Sequence, residues 1–252
     1  GVSGSMYASH TKLSHVMCIP VPGGIAAADA ASSFVNPLTA LGMTETMRLE
    51  GHSAIVHTAA ASNLGQMLNR LCQADGIPLV NVVRRNEQAD LLRAAGAEHV
   101  VVSSADSFAD DLTVAITATG ATLAFDAIGG GEQVDTLLAS MEKASSAGQA
   151  FSRYGSDTHK QVYIYGGLDR SATTLRRTYG MSWGVGGWLL TPFLGRVGFE
   201  RMAELQARVA AEITTTFASG YADTISLDDM LDPVVAKAYS AQATGEKRLV
   251  TA

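Results

Sequence analysis

What most constrains the fold of this chain is a regular alternation, over residues 53–165, of short apolar β-type runs with amphipathic helical stretches. Five runs read as strands: 53–58 (SAIVHT), 78–83 (PLVNVV), 99–102 (HVVV), 121–127 (ATLAFDA) and 161–165 (QVYIY). Between them, 61–74, 86–95, 108–117 and 133–144 read as helices, with Leu64, Met67, Leu68 and Leu71 marking one apolar face. Gly96 ends the second helix as a C-cap, and 145–158 reads as a loop. Strands apolar on both faces and joined through helices form a parallel sheet covered on both sides. The alternation therefore predicts an α/β fold with a doubly wound parallel sheet of Rossmann type.

The flanks depart from this rhythm. A Pro/Gly turn at Pro20, Pro22, Gly23 and Gly24 precedes a helical stretch over 36–50, with Pro37 in the first turn where proline is tolerated. After the fifth strand come a Gly/Trp-rich run, a helix over 199–217 and a β-α-β-like tail over 222–250. These end pieces read as parts of another unit.

The 252 residues, 47% apolar, suffice for one large domain or a domain plus a fragment. A net charge of −6 with scattered Lys and Arg leaves no basic stripe for a phosphate backbone, so nucleic acid is a poor partner. No apolar run reaches the roughly 18 residues of a membrane span. The nearest, 183–194, is shorter and holds three glycines. No charged-then-apolar leader opens the chain. Two cysteines, Cys18 and Cys72, read as small hydrophobes in a reducing compartment, and a soluble cytoplasmic protein is expected. The six histidines show no ligand spacing, so no metal is expected, and His57 reads as a packing residue.

The junction of the first strand with its helix carries the chemistry. Laid on the dinucleotide fingerprint G-x-G-x-x-G, Ala60, Ser62 and Gly65 occupy the glycine positions. Small residues there let the backbone turn tightly and approach a pyrophosphate at the helix N-terminus. The other reading is an ordinary tight βα loop. An NAD-binding fold normally carries an acid roughly 20 residues on. Here Arg84 and Arg85 stand 19 and 20 residues after Gly65. Guanidinium offers charge-assisted hydrogen bonds to a 2′-phosphate, so position and missing acid favour NADP(H) over NAD. The alternative is a solvated helix start paired with Glu87. Two further strand ends, Asp126-Ala127-Ile128-Gly129-Gly130-Gly131 and Tyr165-Gly166-Gly167-Leu168, fall where ligands sit in open α/β sheets, their glycines allowing backbone to approach a flat ligand.

Other enzyme classes lack their residues. None of the seven tyrosines has a lysine four positions later, which excludes a short-chain dehydrogenase. No G-x-S-x-G supports a hydrolase, and Arg84 replaces the acid expected of a methyltransferase. The run from Trp183 to Leu190 reads as an edge strand with its loop. It is also a candidate homodimer interface, since an unpaired edge invites another chain. Trp183 is in addition a candidate wall for a nicotinamide.

Several pieces together resemble a medium-chain dehydrogenase/reductase of the zinc-independent quinone oxidoreductase and enoyl reductase branch. They are VNPLTAL at 35–41, the 60–65 loop, Arg84-Arg85, AAGAEHV at 94–100, FDAIGG at 125–130, YGGL at 165–168 and TGEKRLV at 244–250. They span most of the chain in the family's order. The resemblance implies NADP(H) as cofactor and hydride delivery to a quinone, enone or enoyl thioester, in a homodimer. It places Asn36 and Thr39 near the nicotinamide and Ala60, Ala61, Ser62, Asn63, Leu64 and Gly65 on the pyrophosphate. Arg84 and Arg85, with Ser103 assisting, fall on the 2′-phosphate. Asp126, Ala127 and Gly129 lie on the ribose side, with Tyr165, Gly166, Gly167 and Leu168 at the carboxamide. Lys247 faces the cofactor or is a surface lysine.

The family's N-terminal GroES-like catalytic domain is nearly absent, only 6–21 resembling its last strands. The expected division is 1–24 as a remnant of that domain, 25–220 as the dinucleotide-binding domain and 221–252 as the C-terminal segment of the catalytic domain. No proton-donating residue is identified, so the rival readings are a non-catalytic NADP(H)-binding sensing or scaffolding module and an inactive fragment of a larger reductase.

Overall fold

The computed structural model describes residues 1–4, 6–240 and 247–251. In chain order its strands are β1 (Ile55–His57), β2 (Leu79–Val83), β3 (His99–Val102), β4 (Leu123–Asp126), β5 (Gly129–Gly131), β6 (Lys160–Ile164), β7 (Asp169–Thr173), β8 (Trp183–Gly187), β9 (Asp223–Ser226) and β10 (Arg248–Thr251). The helices are α1 (Ala27–Ala30), α2 (Val35–Leu49), α3 (Asn63–Asp75), α4 (Asn86–Ala94), α5 (Phe108–Thr119), α6 (Gln133–Ser146), α7 (Leu190–Ala211) and α8 (Pro233–Tyr239).

Six strands form the central sheet in the order β3-β2-β1-β4-β6-β8, and every neighbouring pair is parallel. This is the doubly wound topology the alternation predicts. The pleat sends successive residues to opposite faces. Ile55, Leu79, Leu123 and Phe125 join a core with α2, α3 and α7. Val56, Val80, Ala124 and Val162 join a second core with α5 and α6. The sheet is thus covered on both sides, and β1, β2 and β4 are buried throughout.

Helix ends follow local chemistry. Ser62 caps α3 by accepting a hydrogen bond from the Gly65 amide at 3.1 Å. Gly76, in the left-handed region at φ 65°, closes the same helix. Gly96 (φ 83°) follows α4 and donates to Arg93 O at 2.9 Å, as read from sequence.

The flanks show two differences. The stretch expected over 199–217 begins at Leu190 and is broken at Gly198, whose φ of 81° and ψ of 172° are not helical. Residues 6–21, read as strands, form none; they hold a 3-10 turn (His15–Met17) and send Ile19 into the core. A strand needs a ladder partner, and among the described residues this segment has no ladder, only a single backbone bond from outside it, Val2 N to Met17 O at 3.2 Å. The tail is β-α-β-like as expected: β9 and β10 pair in parallel. Of the resembling tail, residues 244–246 lie outside the described residues.

Candidate functional site

Because the six strands are parallel, their C-terminal ends share one edge, where β1, β2, β3, β4 and β6 place their loops. The β1–α3 turn is tight. Ala59 adopts φ 51°, unusual for a residue with a side chain. The Ala60 amide donates to Val82 O at 3.1 Å, and Ser62 N donates to Ala59 O at 2.9 Å. Ala60 and Ala61 are buried. A Cβ at Gly65 would lie 2.1 Å from Ala60 O and 2.6 Å from its Cα, so helix and turn touch where only glycine fits. The cap on Gly65 leaves the amides of Asn63 and Leu64 without a hydrogen bond among the described residues. Two free N–H groups at the start of a 13-residue helix are the arrangement that suits an anion.

Arg84 and Arg85 follow β2 at this edge, exposed and in no ion pair among the described residues, so the pairing with Glu87 does not form. Their backbone amides share the Gln88 Oε1 acceptor, at 3.1 Å each. That fixes the turn and leaves both guanidiniums to solvent. Ser103 lies alongside, its amide donating to Val83 O at 2.7 Å.

At the β4 end the Asp126 carboxylate, in the segment expected on the ribose side, is fully buried. It accepts hydrogen bonds from Thr58 Oγ1 (2.7 Å), Ile128 N (3.2 Å) and Gly129 N (2.8 Å), while Thr58 Oγ1 accepts from Ala127 N (2.8 Å). It therefore holds the β1 and β4 loops together from below. The glycine run is also spent internally. Gly129–Gly131 pairs in parallel with β7, a strand the sequence reading did not foresee. A Cβ on Gly166 would meet Ala127 O at 2.7 Å, whereas Gly167 and Leu168 stay open to solvent.

Between these loops His57 and Tyr165 stack with ring centroids 5.7 Å apart, His57 Nε2 and Tyr165 Oη being 2.7 Å apart. Burial pushes the imidazole down to about 3 and the Tyr165 phenol upward, the latter with help from Asp126. His57 is therefore neutral, and it hydrogen-bonds Tyr165 as well as packing against it, where the sequence suggested packing alone. Below its ordinary value of about 6.5 the unfolded chain binds a proton that the fold refuses. Its contribution to stability is full above that pH and declines as pH falls toward 3. Half-buried His52, also lowered chiefly by burial, acts in the same sense. Melting temperatures measured from pH 7 to 5 should fall, and the fall should be shallower in His57→Gln. An unchanged slope would contradict this.

Lys247 does not point freely outward. Its ammonium donates to Ser32 Oγ and lies 5.6 Å over the Tyr221 ring, while Ser32 Oγ and Tyr221 Oη are 2.8 Å apart. Burial lowers its pKa. Ser219, two residues before Tyr221, exchanges hydrogen bonds with Asn63 at the start of α3, so this cluster adjoins that helix start. Asn36 and Thr39 begin α2, with Thr39 buried. Sequence reasoning missed Thr58, Ser32 and Tyr221. Thr58 adjoined the fingerprint; the other two carried no local signal.

Among the described residues no three His, Cys, Asp or Glu side chains stand close enough to hold a metal ion, and no helix is long and apolar enough to cross a membrane.

No family model matches the chain. It is 34% identical over 88 residues to the mitochondrial enoyl-[acyl-carrier-protein] reductase of Homo sapiens, covering 33% of this chain and 24% of that protein. Its fold is similar to a structure assigned as an NADPH:quinone reductase from Mesorhizobium loti, with TM-score 0.76 and 26% identity over 93% of this chain and 63% of that one. Escherichia coli quinone oxidoreductase complexed with NADPH shares the fold at TM-score 0.68 and 18% identity, over 92% of this chain and 67% of that one. The chain thus spans less than two thirds of the Mesorhizobium structure. The resemblance read from the sequence, to quinone and enoyl reductases of the medium-chain superfamily, agrees with these neighbours.

Proposed function

We propose that this chain is the dinucleotide-binding part of an NADP(H)-dependent, zinc-independent oxidoreductase of the medium-chain type, acting on a quinone, enone or enoyl thioester. The carrying observation is the pairing of a glycine-only contact and two free amides at the start of α3 with two unpaired guanidiniums at the end of β2. That set fits a dinucleotide: a diphosphate on the amides of Asn63 and Leu64, and a 2′-phosphate on Arg84 and Arg85. When bound, the cofactor supplies hydride to an electron-poor carbon. The chain's own residues bind and orient. The Asp126–Thr58 network fixes the spacing of the β1 and β4 loops, and Gly167 and Leu168 offer an open surface to a flat ring.

Residues 25–220 form the binding domain in this reading, with 1–24 and 221–252 belonging to the catalytic unit. The edge strand β8 serves a homodimer, and the compartment is the cytoplasm. Arg84→Ala with Arg85→Ala should weaken NADPH at least about tenfold while leaving NADH nearly unchanged. Fluorescence titration reads both, and equal affinities for the two nucleotides in the unmodified chain would overturn the 2′-phosphate assignment. NADPH consumption with a quinone or an α,β-unsaturated ketone tests the reaction. Tight binding with no acceptor reduced would mark a non-catalytic module.

A further inference from the structure

The opposite edge of the sheet, where β6 and β8 begin, holds a cavity of about 800 Å³. It lies between the end of α6, the 147–159 loop and the segment leading into β8, and none of the residues read for the dinucleotide line it. Its volume falls within the range of small-molecule sites.

The floor is built and electrically closed. Lys160, the first residue of β6, is fully buried, and its ammonium donates to Glu142 Oε2 at 2.5 Å, Thr158 O at 2.8 Å and Ser156 Oγ at 3.1 Å. Glu142 also accepts from Ser146 Oγ at 2.6 Å and from Ser156 N and Oγ at 2.8 Å each. The carboxylate is saturated with donors and offset by the lysine, so it does not repel an anion above it.

The walls are cationic and apolar. Arg153 and Arg177 line the cavity, and neither forms an ion pair among the described residues. Arg176 next door is already held by Glu132 and Asp135. Two arginines without an ion-pair partner among the described residues thus line one cavity in a chain whose net charge is −6. Phe151, Tyr154 and Met181 complete the walls at 95%, 67% and 76% exposure, an unusual concentration of bare apolar surface. The two loops cross in contact: Met181 N donates to Tyr154 O at 3.0 Å, and a Cβ on Gly155 would lie 2.6 Å from Gly180. Arg177 itself sits at φ 58°, which costs energy for a residue with a side chain.

We propose that this cavity is a second ligand site, for a flat aromatic body carrying one phosphate group. Two guanidiniums match in number the charge of a phosphate monoester, about −1.5 to −2 at neutral pH. Phe151 and Tyr154 offer ring faces, and Met181 a polarizable edge, to the aromatic part. The site is independent of the dinucleotide crevice.

The test is calorimetric titration of the full chain with 2-naphthyl phosphate, compared with 2-naphthoate and 2-naphthol. Saturable single-site binding is expected, with 2-naphthoate and 2-naphthol at least about tenfold weaker. Arg153→Ala with Arg177→Ala should lower affinity for the phosphate at least about tenfold, and Arg84→Ala with Arg85→Ala should leave it unchanged. Arg153→Ala alone, at an exposed position, keeps the test valid if the Arg177 turn is disturbed. Lack of saturable binding, indifference to the Arg153 and Arg177 changes, equal binding of all three probes, or loss through Arg84 and Arg85 would each overturn the site.

Discussion

Gly65→Ala is expected to abolish dinucleotide binding and to destabilise the fold. The added methyl would sit 2.1 Å from Ala60 O and 2.5 Å from Ala60 C, and both are backbone atoms with no rotamer to yield. Relief requires α3 to slide away from the β1 turn. That motion pulls the Gly65 amide from the Ser62 cap and moves the free amides of Asn63 and Leu64. Overpacking of a tight core costs about 1–3 kcal/mol or more, and losing an N-cap adds about 1 kcal/mol. Urea denaturation reads the stability and NADPH titration the binding. A Gly65→Ala chain with unchanged midpoint and affinity would show that the contact yields freely and that the α3 start does not carry the site. Gly76→Ala, at the far end of the same helix, meets no neighbour within 4 Å and suffers only the strain of φ 65°. It should leave affinity intact, separating a general weakening of α3 from damage to its N-terminus.

The second large effect is expected at Lys160. Its side chain is wholly inaccessible and its partner Glu142 nearly so. Removing one member of such a pair strands a buried charge at about 3–5 kcal/mol, whereas replacing both can be nearly neutral. Lys160→Met should therefore be strongly destabilising, and Lys160→Met with Glu142→Gln should recover much of the loss. Additive losses in the double variant would show that the two do not act as a pair. The sign of the pH dependence offers a second check. Burial alone would raise Glu142, but the Lys160 ammonium, Ser146 and Ser156 hold it down to about 2. Its contribution is thus full above the ordinary carboxylate value of about 4.3 and disappears as pH falls toward 2. In Lys160→Met the stranded carboxylate favours protonation instead. Acidification toward pH 5 should then narrow the stability gap between variant and unmodified chain.

Much of this was legible locally. The strands from Ile55, Leu79, His99, Leu123 and Lys160 appear close to where period and apolar character placed them; for β1, β2 and β4 the reason is that central parallel strands are buried on both faces and leave little choice of residue. Gly65 was legible because a fingerprint records a steric requirement between residues five apart. Arg84 and Arg85 were legible because the end of β2 is a fixed station in this topology. Asp126 was read as a ribose contact from its place at a strand end, yet its partner Thr58 is 68 residues away and turns the carboxylate inward. The Gly129–Gly131 run looked like room for a ligand and proved to be room for β7. Lys160 and Glu142 drew no reading from the sequence, since a buried ion pair has no signature in composition.

From sequence alone came the doubly wound sheet, the edge on which a ligand would lie and the need for small residues in the β1–α3 turn, since periodicity, chain direction and side-chain size are local properties. That the position of Gly65 admits only glycine came from its contact with Ala60. Only the tertiary structure decided which polar groups remain free for a ligand and which are consumed inside the protein. Asp126, Glu142 and Lys160 are consumed, while Arg84, Arg85, Arg153 and Arg177 are not. The physical reason is that a donor or acceptor acquires its fate from whichever partner the fold brings within about 3 Å, and those partners come from distant parts of the chain.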